Sequence, residues 1–419
     1  MTLAETDEST RKLAIDGGPK VRSTPVVTTG KRFDENELRE LEEALNQQTL
    51  FYWHGAKVKT FQTQFADLYG SNHCHMVTSG TAALHVACGA VGIGPGDEVI
   101  TSPITDQGTA IGILAQGGVP IFADLDPHTY NLTADNIAEK ISSKTKAVIV
   151  VHLAGNAADM DQILDMARRH NLKVIEDCAQ SYLCRYKDRL AGTMGDIGCF
   201  SLNDFKHISA GDAGMVITRD KALSGRCQLF LDKAYHRDGS GRRPAFLAPN
   251  YRPSELHAAV AIAQLHKLPD ICAKRNRLGN RLTKAIEGTP GVHAHKVLPG
   301  CESSYWFYLG RMNPDALGVS RDDFVKAVAA EGVPVTPGYI GQMVYEYPVF
   351  TEHNAFEGCN YPWDGVYGRK VEYGKGLCPT AELIEATSWR SPITEFMTEQ
   401  DIDDIAAAIV KVAMWHASK

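Results

Sequence analysis

From residue 75 to 218 the chain alternates short apolar runs with amphipathic stretches, and that rhythm restricts its fold more than any other feature. The runs are "HMVT" (75–78), "EVITSP" (98–103), "VPIFADL" (119–125), "AVIVVHL" (147–153), "KVIEDC" (173–178), "IGCFS" (197–201) and "GMVIT" (214–218). Each has the length of a strand, and none shows the strict alternation of a strand wetted on one face. Between several of them lie helical patterns such as "DMDQILDMARRHN" (159–171). Strand, helix, strand in this order implies an α/β fold: a mainly parallel sheet covered by helices on both faces.

A chain of 419 residues is too long for one small core, so two domains are expected. Residues 1–34 read as an N-terminal arm, with "DGGP" and "TTGK" as turns. Residues 35–270 make the large domain. It opens with a helix over "ENELRELEEALNQ" (35–47), in which Leu38, Leu41 and Leu45 recur at helical spacing. A long helix beginning near "SELHAAVAIAQLHKL" leaves this block. Residues 271–419 then form a smaller α+β domain, with a strand near "YWFYLGRM" (305–312) and a final helix over 400–417. Ile402, Ile405, Ile409 and Val412 share one face of that helix.

Charge and composition remove whole classes of function. A net charge of -7 argues against nucleic acid or an acidic membrane surface as the main partner. No apolar run approaches membrane-span length, and "MTLAETDESTRK" lacks the core of a signal peptide. The ten cysteines are scattered without a C-x-x-C pair, which fits reduced thiols and a cytoplasmic location. His73 and His75 in "NHCH" would share one strand face, but no further ligand stands near them, so no metal site is expected.

Ligands of an open parallel sheet bind at the carboxyl ends of its strands, and three segments converge there. "TSGTAALHVA" (78–87) opens a helix with small residues, leaving free N–H groups that can seat a phosphate. An ordinary helix cap is the alternative. In "VIEDCAQ" (174–180), Asp177 ends an apolar strand, either as a cap or as the partner of a protonated ring nitrogen. In "GCFSLNDFKHISAGDAGMV" (198–216), Ser201 ends a strand and Lys206 stands in a run bound for the interior. A buried ammonium is costly unless it is paired or has lost its proton. An amine near a phosphate seat, beside a carboxylate on the neighbouring strand, is what a pyridoxal phosphate site needs.

These segments resemble the DegT/StrS-type sugar aminotransferases, which share the aspartate aminotransferase fold. The resemblance also runs through "AIDGGPKVR" (14–22), "GPGDEVITSPIT" (94–105), "VHLAGNAADMD" (151–161) and "PNYRPSELHAAVAIAQL" (249–265). It implies that Lys206 is the Schiff-base lysine and Asp177 the pyridinium partner. It implies that Gln180 lies beside the ring hydroxyl and that Gly80, Thr81 and Ser201 hold the phosphate. Asn250 corresponds to an asparagine that reaches the phosphate of the neighbouring subunit, so a homodimer with shared sites is implied. The implied activity is transfer of an amino group from glutamate or glutamine to a keto-sugar, nucleotide-linked or not, or to a keto-cyclitol, in amino-sugar or antibiotic biosynthesis.

The chain departs from the family pattern at three places. Asp106 occupies the place of the aromatic residue that usually covers the cofactor ring. Ala213 replaces a glycine of the "GEGG" pattern, and Ser181 and Tyr182 replace the usual "HG". Two further segments carry weaker signals. "RDGSGRRP" (237–244) has three arginines suited to a nucleotide diphosphate, or is a solvated loop. "FYWHGAKV" (51–58) clusters aromatics near the family's substrate entrance, or packs a core. Two other functions remain open on the sequence: a related sugar dehydratase, which in this family usually has histidine in place of the lysine, and a non-catalytic cofactor-binding regulator.

Overall fold

A computed structural model describes residues 12–239, 243–364 and 370–419. Its principal sheet contains β1 (His73–Val77), β2 (Glu98–Thr101), β3 (Val119–Phe122), β4 (Thr145–Val151), β5 (Lys173–Asp177), β8 (Ile197–Ser201) and β9 (Gly214–Thr218). A two-stranded hairpin, β6 (Arg185–Tyr186) and β7 (Arg189–Leu190), lies outside it. The strand order is β1-β9-β8-β5-β4-β2-β3. β9 runs antiparallel to both of its neighbours, and the other pairings are parallel. Six strands therefore end at one edge of the sheet. Every residue of β2, β3, β8 and β9 is buried, which is why their sequences are continuous apolar runs.

A second sheet joins β10 (Val292–Ala294), β11 (Phe307–Met312), β12 (Thr336–Pro337) and β13 (Ser388–Pro392) in the antiparallel order β10-β11-β13-β12. The helices Arg321–Ala330 and Glu399–Ala417 complete this unit. Ile402, Ile405, Ile409 and Val412 all sit in its core.

One helix, Glu255–Ile286, serves both cores and continues through Pro269. Ala258, Ile262, Leu265, Leu268 and Cys272 pack in the large core, and Leu278, Leu282 and Ile286 in the small one. The expected division at 270/271 thus falls inside a rigid element. Met343, Tyr345, Phe350 and Ile384, beyond that division, pack into the large core.

The described part of the arm is fastened down. Glu331, fully buried, accepts from the backbone N–H of Ala14 and Val21 and pairs with Lys411. Arg22 bridges Asp401 and Asp404.

The helix Glu35–Asn46 differs from its sequence expectation. Leu38 and Leu45 are 66% and 57% exposed, whereas Glu37 is buried. Lys267 bonds Glu37 at 2.7 Å and Asp34 at 2.9 Å, and Gln264 donates to Glu37 at 2.8 Å. These bonds draw the acidic side of the helix inward, so its leucine stripe faces out.

The small core makes a simple energetic demand. Ile405→Ala leaves a cavity among fully buried neighbours and should lower unfolding free energy by roughly 2–5 kcal/mol. Met414→Ala, on the exposed side of the same helix, should change it by less than about 0.5 kcal/mol. Urea unfolding of the two variants measures both values.

Candidate active site

The first segment of the site is the turn after β1. Ser79 caps the helix Gly80–Ala90, accepting the N–H of Ala82 at 3.0 Å. The N–H groups of Gly80 and Thr81, the first two residues of the helix, donate to nothing among the described residues. Gly80 is required by close approach: a Cβ there would stand 2.7 Å from the Cβ of Ser201. The turn is a helix cap that leaves two N–H groups free, because capping uses only some of them.

Asp177 ends β5 and is 4% exposed. Its two oxygens accept from Thr109 Oγ1 at 2.8 Å and from the N–H of Ala179 at 3.0 Å. No helix follows it, since the next element is the β6–β7 hairpin. The helix-cap alternative is therefore removed. Burial pushes the carboxyl pKa up. The bonds from Ala179 and Thr109 and the charge of Lys206 pull it down, and Asp106 adds to the rise.

Lys206 is 8% exposed, and its Nζ makes no hydrogen bond among the described residues. The ammonium lies 3.8 Å from the centre of the Trp306 ring. Burial lowers its pKa to about 8, against the opposing pull of Asp177 and Asp106. The backbone around it is held from both sides. Its N–H donates to the carbonyl of Asn203 at 3.0 Å, and Arg32 donates to the carbonyls of Lys206 and His207 at 2.7 and 3.1 Å.

Gly80, Thr81, Asp106, Asp177, Ser201 and Lys206 line one cavity of about 500 Å³, together with Thr109, Asn203 and Asp212. Gln180 and Asn250 do not line it. Gln180 is buried, accepts from the N–H of Ala154 at 2.8 Å and donates to the Tyr339 hydroxyl at 3.2 Å. Asn250 is exposed. Asp106 also borders a second cavity of about 680 Å³, lined by Gln107, Tyr339, Ile340 and Tyr347. Its Oδ1 accepts from the N–H of Gly108 at 2.8 Å.

Sequence reasoning missed Thr109, Trp306, Arg32 and Tyr339. Thr109 follows Asp106 by one helical turn, in "DQGT", and that spacing was the available signal. Trp306 and Tyr339 come from the distant second region, and only the fold brings them here.

The remaining motifs find other uses. His75 Nε2 meets Ser224 Oγ at 2.8 Å. His152, Glu176 and Cys178 do lie together, fully buried. Glu176, however, already takes the N–H groups of Gly192, Met194 and Gly195, and His152 Nδ1 takes that of Ala158. This cluster braces a loop. Tyr182 donates to the carbonyl of Ser201 at 2.9 Å, and Ala213 is fully buried. In "RDGSGRRP", residues 240–242 lie outside the described residues. Arg237 is engaged by Asp232, and so is the buried Tyr52. All ten cysteines are free, and no described helix is long and apolar enough to cross a membrane.

Residues 31–410 match the model of the DegT/DnrJ/EryC1/StrS aminotransferase family. The chain is 35% identical to GDP-perosamine synthase of Caulobacter vibrioides over 85% of its own length and 90% of that protein's. It is 34% identical to a protein of Streptoalloteichus tenebrarius, provisionally named L-glutamine:3-amino-2,3-dideoxy-scyllo-inosose aminotransferase, over 96% of its own length and 98% of that protein's. Among solved structures, it matches an aminotransferase of Psychrobacter cryohalolentis with a TM-score of 0.80 and 28% identity, covering 92% of this chain and 98% of that one. The cavity fits the family's pyridoxal phosphate: an open N–H pair for the phosphate, a buried carboxylate for the ring nitrogen and an unbonded amine for the aldehyde. The chain belongs to the DegT/DnrJ/EryC1/StrS aminotransferase family, whose fold and pyridoxal-phosphate-dependent transamination it shares.

Proposed function

We propose that this aminotransferase moves an amino group from glutamate or glutamine to a keto-sugar, nucleotide-linked or free, or to a keto-cyclitol. The observation that carries the reading is Lys206: an amine buried without a hydrogen-bonding partner among the described residues, its pKa lowered by burial, in a cavity that the free N–H groups of Gly80 and Thr81 border. Pyridoxal phosphate, when bound, supplies an aldehyde for the amino group and a ring that draws electrons from the substrate carbon. The N–H groups of Gly80 and Thr81 and the hydroxyl of Ser201 would hold the phosphate. Asp177, positioned by Thr109, would keep the ring nitrogen protonated. Lys206 would hold the cofactor and, once displaced by the donor, would carry a proton from the donor's α-carbon to the cofactor carbon in the first half-reaction and from that carbon to the acceptor's former carbonyl carbon in the second. A pKa near 8 suits that exchange, because neither protonation state is costly to reach.

Two neighbouring functions fit less well. A dehydratase of this kind would lack the amine, and His207 offers no substitute. It is fully buried, and its Nε2 is bonded to the carbonyl of Ser304 rather than facing the cavity. A regulator would need no amine tuned in this way. The acceptor class is supported by the names of the relatives, one a nucleotide-linked amino-sugar synthase and one an aminocyclitol aminotransferase.

The same reading includes a homodimer. Leu38 and Leu45 face outward, and Phe205, beside the cavity, is 79% exposed. Asn250 is exposed outside its own cavity, where it can serve a neighbouring chain.

Three experiments test the proposal. An amino donor alone should convert the bound cofactor to its amine form and release the matching 2-oxo acid. A keto-sugar or keto-cyclitol should then yield an amine with its hydroxyl count unchanged. Mass spectrometry of the product decides, and loss of oxygen without gain of nitrogen would establish the dehydratase instead. Borohydride trapping of pyridoxal phosphate on cofactor-free protein should map to Lys206. Its yield should rise with pH around a midpoint near 8 rather than 10.5, because the free amine is the reacting form. Asp177→Asn should cut turnover at least about a hundredfold while the cofactor stays bound, since an amide cannot hold the ring nitrogen protonated.

A further inference from the structure

Asp232 lies at the end of the helix Lys221–Leu231, is fully buried and does not line the cavity, yet charged and polar side chains crowd it. Arg237 grips it through two bonds, Nε at 2.6 Å and Nη2 at 2.7 Å. Arg252 Nη1 donates to it at 3.0 Å, and the Tyr52 hydroxyl donates to its other oxygen. Both arginines also cover the Phe51 ring, at 5.2 and 5.8 Å. One carboxylate therefore ties together residues 51–52, the segment after the helix, and the "PNYR" turn.

The backbone repeats the arrangement. Asp232 and Asn250 form an isolated antiparallel bridge. The Lys233 N–H donates to the carbonyl of Pro249 at 2.8 Å, and the Tyr251 N–H to that of Leu231 at 2.8 Å. Lys233 and Ala234 both have positive φ, 58° and 53°. Two successive non-glycine residues in that region persist only where their surroundings over-determine them. All these bonds hold the main chain at Asn250, but its side-chain NH₂ donates to nothing among the described residues. The structure spends four side chains on fixing a turn whose central asparagine faces outward.

We propose that Asp232 is a positioning residue for the active site of the other subunit: with Arg237, Arg252 and Tyr52 it holds the turn that presents Asn250 to the cofactor phosphate across the dimer. This rests on the dimeric reading of Asn250 given above. It gives the aromatic segment 51–58 and Arg237 a role in aiming a ligand across the interface, rather than in gripping a nucleotide themselves. The carboxylate suits the task because only an ionised acceptor matches two guanidinium forks at once, and its burial makes the bonds strong and directional.

The test separates action in the partner's site from action within the same chain. Asp232→Asn and Asn250→Ala should each reduce the homodimer's cofactor affinity and activity at least about tenfold, the loss expected when a charge-assisted hydrogen bond is broken. Each variant is then mixed, under verified subunit exchange, with Lys206→Ala. In the mixed dimer of Asp232→Asn with Lys206→Ala, the site with the intact lysine receives its asparagine from the chain with intact Asp232. Activity well above either parent supports the proposal. A merely structural defect in the Asp232→Asn chain would leave that chain's own site dead. So recovery with Asn250→Ala but not with Asp232→Asn overturns the proposal and leaves the dimeric reading standing. Recovery with neither overturns both. If Asp232→Asn does not fold, Arg252→Gln, which removes a partly exposed member of the same node, replaces it under the same criteria.

Discussion

Everything near the cavity is arranged around one awkward group, the amine of Lys206. Taking an ammonium out of water costs several kcal/mol unless it is paired or gives up its proton. Here no carboxylate is bonded to it, so burial prevails and the pKa falls to about 8. The fold supports that compromise through the backbone rather than through a counter-ion. Arg32 and Asn203 fix the turn at Lys206, and the face of Trp306 supplies a weakly attractive surface in place of water. Asp177 is close enough to act through space and is kept occupied by Thr109 and Ala179. A direct ion pair between the two would have quenched both groups. Their separation leaves one amine and one carboxylate, each free to meet a ligand.

The sheet makes this separation possible. β5 and β8 are parallel neighbours with Asp177 opposite Cys199, so Asp177 and Ser201 end their strands at the same edge. β1 joins the same edge through β9, which brings the Gly80 turn against Ser201 closely enough that no side chain fits between them. β9 is thus the return strand that lets a segment from near residue 80 meet one from near residue 200. The helix Glu255–Ile286 adds the second unit. It carries Arg275, which pairs with Glu395 at 2.6 Å and donates to the carbonyl of Trp306, so both ends of the small unit are referred to the helix that lines the large core.

Much of this was legible in the sequence because it rests on local pattern. Strands 197–201 and 214–218 lie where the apolar runs put them, since a strand buried on both faces has no other way to be written. The clustering of Gly80, Thr81, Asp177, Ser201 and Lys206 follows once strand ends are known. What was not legible depends on distant partners. The leucine stripe of residues 35–46 gives the correct helix but not its orientation, which Lys267 decides from more than two hundred positions away. Trp306 bears no mark of its neighbours, and Thr109 bears only its one-turn spacing from Asp106. Arg237 looked available for a ligand, and only the placement of a buried aspartate shows that it is already committed.

Asp106 shows how such a site can change its electrostatics without changing its plan. An aromatic residue in that place would contribute stacking of about 0.5–1.5 kcal/mol and no net charge. A carboxylate adds charge instead. It raises the pKa of Asp177 and opposes the depression at Lys206, so both groups shift toward their protonated forms. One of its oxygens is held by Gly108, which fixes the side chain at the rim shared by the two cavities. Burial, with the charge of Asp106 added, pushes up the phenols of Tyr339 and Tyr347 in the second cavity and keeps them protonated. The rim shared by the two cavities is therefore negative and lined with phenol hydroxyls.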